Sequence, residues 1–267
     1  MSMARQLWRD LPPAVRYDVE QHTGLILKAV SASAGVNSGI ATTLHTATEV
    51  YFAKGVPADH PQIRTQQREA DINPHLPAAC PRLLWHVQSG GWDLLIYDHL
   101  DGRHADYRPG SPDLSLVAQA IDELQQTPCP EKTGKRAEQR WASYLTPAEA
   151  GQLAGDSLLH TDLAPHNVLI TDQAHLIDWA WPTRGAAWID PAVLILRLME
   201  AGHTAAEADA WCHRFPSWAG APHAAVAAFA KANAHLWDEI ARNAPVTWMK
   251  NMAHHADEWA TYQHQNG

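Results

Sequence analysis

Between residues 25 and 100 short apolar runs alternate with turn formers, and one segment alone has helical spacing. Leu25-Ile26-Leu27 with Ala29-Val30 reads as a strand. Residues 40–46 and 49–53 continue as strands, with alternation through Val50 and Phe52, and Lys54 ends the second. Residues 61–72 read as a helix stopped by Asn73-Pro74. Residues 82–88 and 92–99 form two further strands around Ser89-Gly90-Gly91, a hairpin signal. This order predicts a five-stranded sheet with one main helix. A short helix over 12–22 precedes it, with Pro12-Pro13 in its first turn and Gly24 at its end.

The rest of the chain is helical except at one place. Residues 103–112 form a connector, 113–126 have the 3.6-residue spacing, and 135–144 predict a second helix. Capping boxes open helices at Thr146–Glu149 and Thr204–Glu207, Asp190 is expected to cap an apolar helix over 191–201, and helices over 221–241 and 246–263 follow. The exception is residues 157–179. Two apolar runs, Leu158-Leu159 and Val168-Leu169-Ile170, flank a polar loop holding His160, Asp162 and Asn167. A turn at Thr171-Asp172-Gln173 and a further apolar step deliver Asp178, after which residues 180–188 read as a loop. Such a hairpin brings Asn167 and Asp178 together, an oxygen-donor pair suited to Mg²⁺. Asp162 is then free to orient or deprotonate an attacking hydroxyl, which is phosphoryl-transfer chemistry.

These residues resemble the catalytic core of the aminoglycoside phosphotransferase family within the protein-kinase-like superfamily. The family's His-Gly-Asp-x-x-x-x-Asn reads here as His160-Thr161-Asp162 through Asn167, with Thr161 replacing Gly. Ile177-Asp178-Trp179 matches its metal motif, and Asp190-Pro191-Ala192 its downstream Asp-Pro-Ala. The resemblance implies an α+β, bilobal fold. Residues 1–100 would be a nucleotide-binding lobe with a five-stranded antiparallel sheet and one main helix. Residues 101–267 would be a mostly helical catalytic and substrate lobe carrying the hairpin.

The resemblance also assigns roles. Lys54, held by Glu69 of the helix, meets the α- and β-phosphates of ATP or GTP. The small-residue turn at 31–39 either closes a hairpin or lets backbone amides approach phosphates, and it matches the family's nucleotide loop through Gly35, Asn37 and Ser38. Backbone around Asp98–Leu100 meets the purine edge. Asn167 and Asp178 hold Mg²⁺, Asp162 is the catalytic residue, His160 orients the loop, and Asp190 is chiefly structural, tying its helix to the catalytic loop. The acceptor expected from the family is a small hydroxylated cation, an aminoglycoside. Glu200, Glu207, Asp209, Asp238, Glu239, Asp257 and Glu258 are the acidic residues available to receive its amines. Macrolide, choline or homoserine kinases share this architecture. A catalytically silent nucleotide-binding protein is the alternative from another class. A protein kinase fits less well, because Asp178-Trp179-Ala180 lacks the Gly of Asp-Phe-Gly and no Ala-Pro-Glu segment follows.

Composition narrows the partners. A formal net charge of −9 argues against a nucleic-acid surface and suits a cationic substrate. Cys80, Cys129 and Cys212 are odd in number and far apart, which favours reduced thiols. No apolar run suggests a leader or a bilayer span, so a soluble cytoplasmic protein, monomer or homodimer, is expected.

Overall fold

The computed structural model describes residues 5–32, 38–244 and 246–266. The sheet expected from the first hundred residues is present: β1 (Lys28–Ser31), β2 (Ile40–His45), β3 (Val50–Pro57), β4 (Leu83–Ser89) and β5 (Trp92–Asp98), in the order β1-β2-β3-β5-β4 and antiparallel throughout. Gly90 and Gly91 take φ of 53° and 78°, the pair of left-handed residues that a two-residue hairpin turn needs for its twist to match the strands. Helix α1 (Pro13–Thr23) lays Val15 and Val19, both fully buried, against this sheet together with Ile40, Leu44, Ala53, Leu94 and Ile96. Helix α2 (Ile63–Ile72) follows β3 and carries Glu69 on its buried side.

Two boundaries differ from expectation. Leu25 and Leu27 are exposed at 67% and 63%, and the first strand begins only at Lys28. The third strand runs past Lys54 to Pro57, because Trp92–Leu95 pair with it along that whole length. Lys54 therefore sits mid-strand between Ala41 and Leu95, in a more rigid setting than a strand end. Gly55 allows this close pairing: a Cβ there would lie 2.5 Å from the Asp93 carbonyl oxygen and 2.9 Å from Leu94 Cγ. Gly55→Ala is expected to destabilise the chain by about 1–3 kcal/mol through overpacking, read as a lower urea midpoint at unchanged slope.

After β5 a two-residue strand, β6 (Arg103–His104), pairs with the hairpin, and α3 (Asp113–Gln126) takes the expected span. The helix expected over 135–144 is broken into α4 (Ala137–Arg140) and a 3₁₀ turn at Ala142–Tyr144. Pairing holds its first residues extended: Arg184 N–H donates to the Lys135 carbonyl at 2.8 Å, and Arg136 bridges to Arg184. Next come α5 (Pro147–Gly151) and β7 (Ser157–Leu159), then the hairpin of β8 (Val168–Ile170) and β9 (Ala174–Leu176). The stretch 180–188, expected as loop, contains β10 (Thr183–Gly185), paired with β7. Helices α6 (Ile189–Glu200), α7 (Ala205–Cys212), α8 (Pro216–Ala219), α9 (His223–Asn243) and α10 (Thr247–Gln265) complete the helical part.

Both capping boxes form, at Thr146/Glu149 and Thr204/Glu207. Asp190 is not the cap of α6. It lies one residue inside the helix and sends its carboxylate back to the polar loop. The helical part has its own core, including Leu159, Leu163, Val168, Ile195 and Trp259, to which Ile72 and Cys80 contribute. On α10, Met252 and Trp259 are fully buried while Trp248 is half exposed, so that stripe is mostly core. The three cysteines are free, and no helix among the described residues is long and apolar enough to cross a membrane.

Candidate functional site

Strand β3, helix α2 and the far end of the β8–β9 hairpin converge on one lysine. Lys54 Nζ lies 2.5 Å from Glu69 Oε2 and 2.8 Å from Asp178 Oδ1, though Asp178 is 124 positions away in sequence. The Lys54 and Glu69 side chains are nearly buried, at 12% and 7% exposure, whereas Asp178 is 45% exposed. Tyr97 of β5 donates its hydroxyl to the other Glu69 oxygen at 2.9 Å, so both carboxylate oxygens are held. Burial works to lower the Lys54 pKa, but the charges of Asp178 and Glu69 together outweigh it and keep the ammonium protonated. Burial likewise pushes the Glu69 carboxyl up against the pull of Lys54. The Lys54 charge holds the Asp178 carboxyl below the usual range, against a smaller effect of burial.

The polar loop after β7 is fixed from three sides. Asp190 accepts from the backbone N–H of His160 and of Thr161, each at 2.8 Å, as a tie between α6 and the loop. His160 is buried. Its Nδ1 accepts from the Asp162 N–H at 3.2 Å, which leaves Nε2 to donate to the Ile177 carbonyl at 2.9 Å. Both ring nitrogens are thus engaged in structure, and Trp179 packs edge-on 4.6 Å away. Asn167 donates Nδ2 to the Asp162 carbonyl at 3.0 Å, and its own carbonyl accepts from Ile177 N–H at 2.9 Å. That second bond sets Asn167 opposite Ile177, one residue from Asp178.

Two residues in this loop occupy left-handed backbone space, Thr161 at φ 64° and Asp178 at φ 61°. Such a conformation costs a β-branched residue about 1–2 kcal/mol. At Thr161 the hydroxyl offsets it, accepting from Arg140 Nη1 at 2.6 Å and donating to the Trp181 carbonyl at 3.2 Å. The replacement of Gly by Thr therefore adds a contact that Gly could not make. Thr161→Ala is expected to lower stability by about 1–2 kcal/mol, and Thr161→Gly to recover about 1 kcal/mol of that by relieving the strain; urea unfolding of the pair measures both.

Arg197 is the residue that sequence reasoning missed. It is 9% exposed on α6, donates Nη2 to Asp162 Oδ1 at 3.2 Å and Nη1 to Glu200 Oε2 at 3.1 Å, and stacks over Trp237. An arginine inside an otherwise apolar helical run, Val193–Met199, was the available signal. The second Asp162 oxygen has no protein partner among the described residues. Nearby, the buried Tyr107 hydroxyl also has none.

The remaining expected residues divide. Asp98 N–H is committed to the Arg82 carbonyl at 3.1 Å, and the chain through Leu100 beyond it forms no strand. Ser38 is half-buried just before β2, whereas Gly35 and Asn37 lie outside the described residues. Six of the seven acidic residues expected to receive amines already have partners within the chain. Glu200 meets Arg197, Glu207 closes its capping box, and Asp209 meets Gln263 and His213. Asp238 pairs with Arg242, Glu239 accepts from Tyr144, and Glu258 meets His254 and His255.

Asn167 Oδ1 and the second Asp178 oxygen accept from no protein donor among the described residues. Two hard oxygens without protein donors fit Mg²⁺, which takes one or two protein ligands and fills the rest of its octahedron with water and phosphate oxygens. No cluster of three or more His, Cys, Asp or Glu able to hold a metal occurs among the described residues, so an all-protein metal cage is not what this site offers.

No protein-family model matches the chain, and no curated protein matches it. Solved structures do. An aminoglycoside phosphotransferase, APH(4)-Ia, superposes at a TM-score of 0.61 with 15% identity, covering 91% of this chain and 98% of that one. A thermostable mutant of that enzyme in ternary complex with AMP-PNP and hygromycin B gives 0.59 and 15%, covering 93% and 99%. The choline kinase LicA from Streptococcus pneumoniae gives 0.67 and 12%, covering 93% and 98%. The chain thus has the bilobal, protein-kinase-like fold found in aminoglycoside phosphotransferases and choline kinase.

Proposed function

We propose that the chain is an ATP- or GTP-dependent phosphotransferase that moves a γ-phosphate to the hydroxyl of a small molecule, with residues 1–100 as nucleotide lobe and 101–267 as catalytic and acceptor lobe. The observation that carries this reading is Lys54, held between Glu69 of one lobe and Asp178 of the other. A lysine fixed between two carboxylates at a cleft is a preorganised cation for phosphate oxygens, and the order Lys, Glu, Asp, Asn, Asp is complete.

Lys54, positioned by Glu69, would meet the α- and β-phosphates, with Gly35, Asn37 and Ser38 covering them and backbone at Asp98–Leu100 meeting the base. Asn167 and Asp178 would hold Mg²⁺, which when bound would supply charge neutralisation for the phosphates. Arg197 fixes one Asp162 oxygen and leaves the other for the acceptor hydroxyl, whose proton Asp162 takes late in transfer. His160 supports the loop and does not serve the acceptor, since both its ring nitrogens are hydrogen-bonded within the protein. Most of the acceleration then comes from positioning and charge stabilisation.

The family resemblance and the hygromycin B complex of a structural neighbour support an aminoglycoside acceptor. The engagement of the acidic residues by partners in the chain counts against it. A coupled screen with ATP and with GTP against aminoglycosides, macrolides, choline, homoserine and hydroxy acids tests the reading. Mg²⁺-dependent nucleotide turnover raised by one acceptor class is expected. Nucleotide binding without Mg²⁺ dependence or turnover would instead identify a silent binding protein.

A further inference from the structure

Beside Thr161, the chain neighbour of Asp162, three cations gather with no carboxylate in ion-pair contact with any of them among the described residues. Arg140 lies between two indoles, its guanidinium 4.7 Å from the Trp141 ring and 5.5 Å from that of Trp181. Its Nη1 is pinned by two hydroxyls, Thr161 and Thr183, each at 2.6 Å. Lys135 Nζ sits 4.3 Å over the same Trp181 ring. Arg68 reaches across from α2 to the adjoining turn, where a Cβ on Gly134 would be 3.8 Å from its Nε. None of the three makes an ion pair with a carboxylate among the described residues. Trp181 is 42% exposed and follows Asp178 by three positions, while Thr161 adjoins Asp162, so the cluster opens beside the proposed base.

Like charges held close together repel, and Lys135 feels that repulsion. Burial, then repulsion from Arg68 and Arg140, lowers the Lys135 pKa. Burial brings Arg140 down to about 10, against a pull upward from Asp190 and Asp162. Arrangements of this kind are relieved when an anion arrives, and a flat indole beneath them adds apolar contact for its carbon skeleton.

We propose that Arg68, Lys135 and Arg140, gathered round Trp181, form a subsite for an anionic group of the acceptor, a carboxylate or a phosphate ester. The proposal rests on the phosphotransfer reading and names its substrate class: a hydroxylated acid in place of a polyamine. One cation cluster thereby holds the acceptor by its charge while Asp162 meets its hydroxyl.

The test uses the full chain with MgADP and four probes on one three-carbon skeleton: glycerate, glycerol 3-phosphate, glycerol and 3-amino-1,2-propanediol, at equal millimolar concentration. At least one anionic probe is expected to raise Tm by about 2 °C or more, with the neutral and amino probes giving no shift. The shift should be lost in both Lys135→Ala and Arg68→Ala, whose side chains are partly exposed and whose truncation leaves no buried charge. Glycerate or glycerol 3-phosphate giving the larger shift decides between carboxylate and phosphate. An equal shift from the amino probe, a shift that survives both variants, or none from either anion would overturn the subsite. Phosphotransfer is scored separately, by Mg²⁺-dependent ATP turnover of the unsubstituted chain. An anion shift without turnover keeps the subsite and removes the enzyme reading, whereas turnover with an amine alone does the reverse.

Discussion

Asp162→Asn should reduce phosphotransfer by about 10³-fold, within the range for loss of a positioned general base, while leaving MgADP affinity within about twofold. The asymmetry follows from where its neighbours sit. The nucleotide half is organised by Lys54, Glu69 and Asp178, none of which Asp162 touches through its side chain. Asn retains an oxygen for Arg197, and Arg197 also keeps Glu200, so the substitution does not strand a buried guanidinium. What Asn lacks is a group able to take the hydroxyl proton. Coupled ADP release measures the first effect and calorimetry with MgADP the second. Near-full turnover in this variant would remove Asp162 from the reaction. A parallel collapse of nucleotide affinity would show that it acts structurally instead.

Much of this site was legible because its signals are local or rest on spacing between neighbouring elements. The Ser89–Gly91 turn, the two capping boxes and the turn at Thr171–Gln173 each need only a few adjacent residues. Lys54 and Glu69 lie on consecutive elements, so the only question was which acidic residue of α2 faced inward. Asp190 divides local pattern from resemblance: its place at a helix start reads as a cap, whereas the resemblance implies a tie to the loop, and the carboxylate makes that tie, to backbone N–H groups 29 and 30 positions upstream. Arg197 shows the limit, since nothing near it in sequence hints at Asp162, 35 positions away.

Extended structure was lost wherever its partner was remote. Lys135–Arg136 and Thr183–Gly185 are held by each other and by β7, and propensity alone assigned the first to a helix and the second to a loop. The same blind spot hid the cation cluster. Arg68, Lys135 and Arg140 come from two separate stretches, and only the tertiary fold sets them round one indole. A net charge of −9 pointed toward a cationic ligand, but net charge is a sum over the surface and says nothing of the sign inside a cleft.

Asp178→Ala should erase the Mg²⁺ dependence of nucleotide binding. Affinity for ATP in the presence of Mg²⁺ is expected to fall at least about 100-fold, since removing a direct ligand exceeds the 10–100-fold loss typical of its supporting partners. Binding in EDTA should change much less, because Lys54 keeps Glu69 and still offers its charge to phosphate. The variant should fold. Asp178 is 45% exposed, so the small carboxylate leaves no enclosed cavity, and Lys54 exchanges two carboxylates for one rather than losing its only counter-charge. The left-handed φ of 61° remains strained for Ala, which makes Asp178→Gly the control that removes the carboxylate with the strain relieved. Calorimetry with and without Mg²⁺ on both variants gives the ratio of affinities directly. A ratio near unity in both identifies Asp178 as a metal ligand. A ratio retained in both would move the metal to other oxygens and leave Asp178 as the counter-ion that holds Lys54 across the cleft.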